Sequence, residues 1–277
     1  MPTKINFIKT QALGNDFVII DTIQQNYLPT STQIKQLSDR HYGIGFDQML
    51  VISKPQDNSH DYYYQIFNAD GSEVGQCGNG ARCAALYIHR HLNSKQSHFT
   101  LKTATTLLEL EILAQDLVKL TLPCPVFNPQ AIPLNLAMQD SYNFGNIQFH
   151  ALSVGNPHAI IIIDSEYELA SMDISSIGRA LEESPLFPER CNVNFVCIKN
   201  PQEILLRVWE RGCGETLACG SGALASAAAV RKFHQLAANI TVVLRGGTLL
   251  VNWQDCNGPI AQIGPANEVF QGSFIVR

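Results

Sequence analysis

Residues 73–81 read Glu73-Val74-Gly75-Gln76-Cys77-Gly78-Asn79-Gly80-Ala81, and residues 215–223 read Glu215-Thr216-Leu217-Ala218-Cys219-Gly220-Ser221-Gly222-Ala223. Both are Glu-x-x-x-Cys-Gly-x-Gly-Ala. In each, an alanine-rich apolar run follows at once, Ala81 to Ile88 and Ala223 to Val230. A glycine pair ahead of such a run predicts a tight loop opening a helix. The run is apolar nearly all round, so the helix belongs inside a core rather than on a surface. Each cysteine then stands at a helix N-terminus, where unpaired backbone N–H groups and the macrodipole favour an anion, including a thiolate.

The two cysteines are 142 residues apart, about half the chain, and other segments match at nearly the same offset. Leu13-Gly14-Asn15-Asp16-Phe17-Val18-Ile19-Ile20 pairs with Val154-Gly155-Asn156-Pro157-His158-Ala159-Ile160-Ile161. Ile66-Phe67-Asn68 pairs with Val208-Trp209-Glu210, and Thr106-Leu107-Leu108 with Thr248-Leu249-Leu250. Gln48 falls near Asn192. Collinear matches of this kind indicate a duplicated unit. Two copies imply pseudo-two-fold halves, since a solenoid needs more repeats.

Strands are expected at Ile5–Lys9 and Phe17–Asp21 around a Gly14-Asn15 turn, then at Met49–Ile52 and Tyr62–Asn68. Thr30-Ser31 caps a short helix running to Arg40. Further strands are Phe99–Lys102, Leu107–Leu113 and Leu117–Leu122. Pro123, Pro125, Pro129 and Pro133 mark a boundary just before the midpoint. The order then repeats, with one helix over Ile174–Glu183, and a final strand over Phe270–Val276 returns to complete the first half. The expected fold is therefore α/β (α+β). It has two pseudo-symmetric domains, each a barrel-like, mostly antiparallel sheet around a central apolar helix. The domains are drawn at 1–119, completed by 265–277, and at 120–264.

With 45% hydrophobic and 16% charged residues over 277 positions, this is an ordinary globular composition. A net charge of −5 without a basic run argues against a nucleic-acid partner. Met1 to Asn15 holds no sustained apolar run, so no secretory signal is read, and no run approaches bilayer length. A cytoplasmic protein with reduced thiols and no membrane association is expected. Of its eight cysteines none forms Cys-x-x-Cys, so no metal site is expected. Gly43-Ile44-Gly45 lacks the rest of a dinucleotide fingerprint. Most cysteines read as small buried hydrophobes, and the repeat singles out Cys77 and Cys219.

At these residues the chain resembles the diaminopimelate epimerases over its whole length. Gly14-Asn15-Asp16-Phe17, Gly43-Ile44-Gly45-Phe46-Asp47-Gln48, Asn68-Ala69-Asp70-Gly71-Ser72-Glu73 and Cys77-Gly78-Asn79-Gly80-Ala81-Arg82-Cys83 carry the resemblance. So do Gly155-Asn156-Pro157-His158, Glu210-Arg211-Gly212 and Cys219-Gly220-Ser221-Gly222. The resemblance implies a pyridoxal-independent epimerase that converts L,L-diaminopimelate to the meso form for lysine and cell-wall synthesis. No cofactor is implied, and the site would lie in the cleft between two similar domains. It further implies that His158 and Glu210 poise the thiols. Asn15, Gln48, Asn68, Asn156 and Asn192, with Glu210 and Arg211, would hold the substrate's distal amino-acid group. A homodimer is implied through the position of Phe270, often Tyr in the family; Phe keeps the ring without the hydroxyl. Thr103-Ala104-Thr105-Thr106 lacks the glycine usual in that turn.

The residues themselves lead to the same chemistry. Inverting a carbon that bears a proton needs an acid–base group on each face, each able to work in both directions. Two halves that each supply one cysteine meet that need. A free thiol near ~8.5, lowered at a helix N-terminus, would sit close to working pH. The backbone N–H groups of Gly78-Asn79 and Gly220-Ser221 would hold the α-carboxylate on which negative charge develops.

The halves also differ. His158 aligns with Phe17, Glu210 with Asn68 and Arg211 with Ala69. A single guanidinium suits a second carboxylate lying off the pseudo-axis. A two-thiol racemase of the proline racemase type is the nearest alternative. A thiol redox sensor joining Cys77 to Cys219 and a non-enzymatic amino-acid-binding module are others.

Overall fold

The computed structural model describes residues 3–114 and 116–276; Met1, Pro2, Gln115 and Arg277 lie outside the described residues, and with them the outermost positions of the expected domains. The chain divides into two compact units, Met1–Leu120 with Gly264–Arg277, and Thr121–Ile263.

The first unit begins with β1 (Thr3–Ala12) and β2 (Asn15–Asp21). Leu13 and Gly14 join them at φ 56° and 83°. Two successive left-handed residues form the tight turn that matches the twist of an antiparallel pair. Helix α1 (Ser31–Ser38) leads to β3 (Gln48–Ser53), β4 (Tyr62–Asn68) and the short β5 (Glu73–Val74). Thr30 caps α1 in a capping box with Gln33. Helix α2 (Gly78–Tyr87) runs into a π-helical turn, Ile88–Leu92, followed by β6 (His98–Lys102), β7 (Leu107–Ala114) and β8 (Leu117–Leu122). The second unit holds β9 (Tyr142–Phe144), β10 (Ile147–Ser153), β11 (Pro157–Ile162), α3 (Glu166–Ser171), α4 (Ile174–Glu182), β12 (Asn192–Asn200) and β13 (Glu203–Glu210). Then come β14 (Gly214–Thr216), α5 (Gly220–His234), β15 (Asn239–Leu244), β16 (Gly247–Asn252) and β17 (Ile260–Pro265). The last strand, β18 (Asn267–Val276), pairs antiparallel with β1.

Strand pairing repeats element for element. In the first unit β1–β2 is antiparallel, β2–β3 parallel, β3–β4 and β4–β5 antiparallel, β4–β6 parallel and β6–β7 antiparallel. The second unit has the same series in β10–β11, β11–β12, β12–β13, β13–β14, β13–β15 and β15–β16. Two parallel steps per unit interrupt a mostly antiparallel sheet. Parallel neighbours need a long crossover. Helix α1, or the pair α3 and α4, supplies one crossover; α2 or α5, with its cysteine loop, supplies the other.

Alternation along the strands sorts each sheet into two faces. Met49 and Val51 of β3 pack with Ile34 of α1, Phe46, Ile5 and Phe7. Val193, Phe195 and Cys197 of β12 pack with Ile174 and Leu181 of α4, Phe187 and Trp209. The opposite face of each sheet meets the cysteine helix. Helix α2 touches β1, β2, β3, β7 and β18 and is buried from Asn79 to Tyr87. Helix α5 touches β10 to β13, β15 and β16 and is buried from Gly222 to Val230. Small side chains let strands approach such a helix from every side, which accounts for the alanine-rich runs. Only the last turn of α5 emerges, carrying Arg231, Lys232 and His234 where cations favour the helix C-terminus.

Helix α3, capped by Ser165, was not expected from the sequence, nor were β5, β9, β14 and β17. The strands β5, β9 and β14, of two or three residues, carry too little alternation to be read. The glycine-free turn at Thr103–Thr106 is held by the Thr103 hydroxyl, which accepts from the N–H groups of Thr105 and Thr106 at 3.2 and 3.0 Å. A side chain does there what a left-handed glycine does elsewhere. Thr105 Oγ1 in turn donates to Gly75 O at 3.0 Å, and in the second unit Gly246 N donates to Leu217 O at 2.8 Å. Both β-turns thus brace the loop two residues ahead of a cysteine.

Candidate active site

Cys77 and Cys219 are the N-caps of α2 and α5, both with extended backbone. Cys77 Sγ accepts from Gly80 N and Cys219 Sγ from Gly222 N, each at 3.4 Å. An N-cap side chain normally supplies an oxygen to this N–H. Here sulfur takes its place, so each helix presents its positive end to a thiol. The second glycine of each motif is required by what lies beneath it. A Cβ at Gly80 would stand 2.5 Å from Tyr64 OH, and one at Gly222 would stand 2.6 Å from Asn194 Oδ1.

In the first unit, Asn15 Oδ1 lies 4.0 Å from Cys77 Sγ and accepts from Asn79 Nδ2 at 3.5 Å. Asn15 Nδ2 donates to Asp47 Oδ2 at 2.9 Å. Asp47 and Asp16 belong to one ion cluster with Arg40 and the buried Lys9. Lys9 and Arg40 hold the Asp16 carboxyl down to about 2 against the opposing effect of burial, which is the largest single influence on it. This cluster fixes the base of the β1–β2 turn and so the direction of the Asn15 amide. Gln48 and Asn68 face each other across β3 and β4, with Gln48 Nε2 donating to Asn68 Oδ1 at 2.9 Å. Asn79 is buried and accepts at Oδ1 from the fully buried Arg82, whose Nη2 is 2.7 Å away.

The second unit assembles a denser set. Cys219 Sγ lies 3.4 Å from Ser221 Oγ, which accepts from Asn156 Nδ2 at 3.3 Å. His158, fully buried, lies 3.1 Å from Asn156 Oδ1 and 3.0 Å from Asn194 Nδ2. Burial first, with the charge of Arg211 adding to it, pushes the imidazole down to about 3, so His158 is neutral. Cys219 departs from expectation. Its thiol is raised well above the ordinary range, by burial first and then by the Glu210 carboxylate, which also accepts its hydrogen. The hydrogen bonds from Ser221 and from Gly222 N act the other way and are outweighed. Helix position alone suggested a lowered thiol; burial and an adjacent carboxylate reverse the sign. Thr216 Oγ1 donates to Glu210 Oε1 at 2.5 Å.

Asn192 is buried and committed at both ends, donating to Pro157 O at 3.1 Å and accepting from Arg211 N at 3.1 Å. The exposed Arg211 donates through Nη1 to Glu189 O at 2.9 Å. The turn that presents it is clamped by the buried Glu182, which accepts from Gly212 N at 2.8 Å and from Trp209 Nε1 at 2.7 Å. Glu182, Thr216, Asp47 and Asn194 escaped the sequence reading. The first three are polar residues that read as helix ends or loops. Asn194 carried one signal, a polar side chain within the apolar middle of β12, between Val193 and Phe195.

Among the described residues no three His, Cys, Asp or Glu side chains converge as metal ligands would, and no helix is long and apolar enough to cross a membrane. Phe270 lies on β18, about half exposed, with its ring edge-on to Phe7.

Two N-capping cysteines on duplicated folds match known proteins. The sequence model described as diaminopimelate epimerase matches residues 7–122 and 150–269. The chain belongs to the diaminopimelate epimerase family. A diaminopimelate epimerase of Legionella pneumophila (strain Corby) is 44% identical, covering 98% of this chain and 99% of the relative. One from Coxiella burnetii (strain Dugway 5J108-111) is 40% identical with the same coverage. Among solved structures, a phenazine biosynthesis protein of the PhzF family from Bacillus anthracis superposes with TM-score 0.72 at 15% identity, covering 99% of this chain and 100% of that one. A hydroxyproline epimerase from Agrobacterium vitis, with bound trans-4-hydroxy-L-proline, gives 0.69 at 13% identity, covering 98% and 91%. At such identities the likeness is one of fold. It places this diaminopimelate epimerase family member in the mixed α/β class expected from the repeat, alongside racemases and isomerases of other substrates.

Proposed function

We propose that this chain epimerises L,L-2,6-diaminopimelate and the meso form without a cofactor, with Cys77 and Cys219 as the acid–base pair. The observation that carries the reading is the duplicated Cys-Gly-x-Gly helix start, with each sulfur receiving a helix N–H, in a chain of this family. One sulfur, as thiolate, takes the α-proton; the other, as thiol, delivers a proton to the opposite face, and the roles exchange in the reverse direction. With its thiol raised by burial and by the Glu210 carboxylate, Cys219 would serve as the proton donor.

The N–H groups at Gly78, Asn79, Gly220 and Ser221 would carry the α-carboxylate, on which the intermediate's charge gathers. Asn15, Gln48, Asn68, Asn156, Asn192 and Glu210 would orient the distal amino-acid group, and Arg211 would pair with its carboxylate. His158 and Glu210 would tune the thiols. A cytoplasmic homodimer with Phe270 in its contact, serving lysine and cell-wall precursor synthesis, completes the reading.

The test is incubation of L,L-diaminopimelate with the enzyme alone in deuterium oxide. Deuterium should enter at the α-carbon as the meso form appears. Absence of both exchange and meso product under conditions where the protein is folded would overturn the proposal.

A further inference from the structure

We propose that Asn194 is a positioning residue that fixes the tautomer of His158 and, through it, the direction in which Asn156 and Ser221 present their hydrogens toward Cys219. The functional meaning rests on the reading of Cys219 as an acid–base group; the positioning itself does not.

Asn194 lies on β12 with no exposure, on the face that meets α5. Its Nδ2 stands 3.0 Å from Ala159 O and 3.4 Å from Asn192 O. Carbonyl oxygens only accept, so this end of the amide is the NH2 group. The same NH2 is 3.0 Å from His158 Nδ1; an amide nitrogen does not accept, so its two hydrogens serve Ala159 O and Nδ1, with Asn192 O a weaker third acceptor. Nδ1 therefore carries a lone pair, and the single hydrogen of the neutral ring sits on Nε2. That hydrogen points to Asn156 Oδ1 at 3.1 Å, which turns the Asn156 NH2 toward Ser221 Oγ. Each link takes its direction from the one before it, and the chain ends 3.4 Å from Cys219 Sγ.

The other half of the molecule supplies the control. Phe17 pairs with Gln48 in the register in which His158 pairs with Asn192. Leu50 is therefore the counterpart of Asn194 and Phe17 that of His158. Both counterparts lie under the second glycine of the motif, as Asn194 does in its own half. A position that needs only packing is thus served by leucine. Burying an amide there costs desolvation, and Asn194 Oδ1 has no hydrogen-bond partner among the described residues. Where Leu50 and Phe17 stand, the asparagine of the turn has the opposite orientation. Asn15 donates to Asp47 and shows its carbonyl to Asn79, whereas Asn156 accepts from His158 and shows its NH2 to Ser221. One repeat position carries opposite amide polarity in the two halves: Asp47 sets it in the first, and His158 with Asn194 behind it sets it in the second.

The experiment is 15N NMR of histidine-labelled protein at pH 7, in wild type, Asn194→Asp and Asn194→Leu, with steady-state kinetics. Wild-type His158 should show the neutral Nε2–H form. In N194D the carboxylate can only accept, so a hydrogen should appear on Nδ1, and kcat should fall about 10–100-fold, the usual scale for a residue supporting a directly acting group, with KM changed by less than about threefold. N194L, which copies the first half, should keep the fold and lose the tautomer preference. A wild-type His158 protonated at Nδ1 would overturn the proposal without any variant. An unchanged tautomer in a folded N194D or N194L, or full kcat despite a changed tautomer, would overturn it as well. If wild type failed to exchange the α-proton, the functional reading would fall, and the NMR comparison would still decide the positioning.

Discussion

The Cys219 thiol donates to the Glu210 carboxylate, and Thr216 holds that carboxylate through Oε1 at 2.5 Å. The acceptor opposes ionisation of the sulfur while the helix N-terminus favours it. Burial decides the balance toward the thiol. Glu210 aligns with Asn68, whose amide is instead tied to Gln48, so only one half places a carboxylate at this position.

Replacing Glu210 by Gln removes the opposing charge and leaves the shape. The Cys219 thiol should become a stronger acid, and each unit of that change is tenfold in thiolate. Alkylation of Cys219 by iodoacetamide at pH 7, followed by peptide mass spectrometry, should quicken by about tenfold or more while epimerisation slows. An unchanged or slower alkylation would show that Glu210 does not hold the proton on sulfur.

Cys77→Ala and Cys219→Ala should each reduce epimerisation by at least about a hundred- to ten-thousand-fold, the range for deleting a positioned acid–base group. Cys83 lies on the same helix as Cys77, but burial drives its thiol up to about 12, so it has no part in proton transfer. Cys83→Ala should keep near-normal turnover. Substantial activity in either single variant of the first pair would end the two-base mechanism.

Arg211→Met should lower kcat/KM for diaminopimelate by roughly 30-fold to several thousand-fold, since losing one partner of a charge pair that bound substrate desolvates costs about 2–5 kcal/mol. Wild type should be nearly inactive on lysine, which lacks the distal carboxylate. Much of the loss should appear in kcat, because remote binding aligns the reacting carbon. Equal turnover of both substrates by wild type would assign Arg211 another role.

Gly80→Ala places a methyl 2.5 Å from the buried Tyr64 hydroxyl. Overpacking of this kind costs about 1–3 kcal/mol. Tyr64 OH makes no hydrogen bond among the described residues, so Tyr64→Phe should be nearly neutral alone and should restore most of the loss in the double variant. Denaturant unfolding of the four proteins measures this, and strict additivity would contradict it.

The His158 ring titrates near ~6.5 in an unfolded chain and about 3 in the fold. Its neutral burial therefore contributes stability above pH ~6.5 that is lost as pH falls toward 3, by up to about 1.4 kcal/mol per pH unit. His158→Phe, the residue found at the matching position 17, should flatten the decline of unfolding free energy between pH 6.5 and 4 by nearly one proton. An identical slope in both proteins would mean that His158 is not held neutral.

Much of the second half could be read by comparison with the first. Gly155-Asn156-Pro157-His158 against Gly14-Asn15-Asp16-Phe17 pointed to a histidine where a phenylalanine would pack, and the two cysteine motifs pointed to two buried helices. Arg211 against Ala69 did the same for a charge. Asn194 was harder to see, because one amide in an apolar strand usually signals little until its neighbours are known. Glu182 was invisible for a related reason: its partners, Trp209 and the Gly212 N–H, lie 27 and 30 residues away.

The sequence by itself determined the duplication, the two cysteine-capped helices, the mixed α/β class and the family, because these depend on local periodicity and on residue identities that repeat. The tertiary structure alone decided the state of Cys219 and the direction of each hydrogen bond around it. Charge and burial act through space at a few Ångström, and an amide or imidazole acquires its orientation only when strands distant in sequence bring a committed donor or acceptor against it. For that reason the helix position of Cys219 suggested a lowered thiol, while burial and the Glu210 carboxylate, nine residues back in sequence on β13, gave a raised one against the Ser221 hydrogen bond.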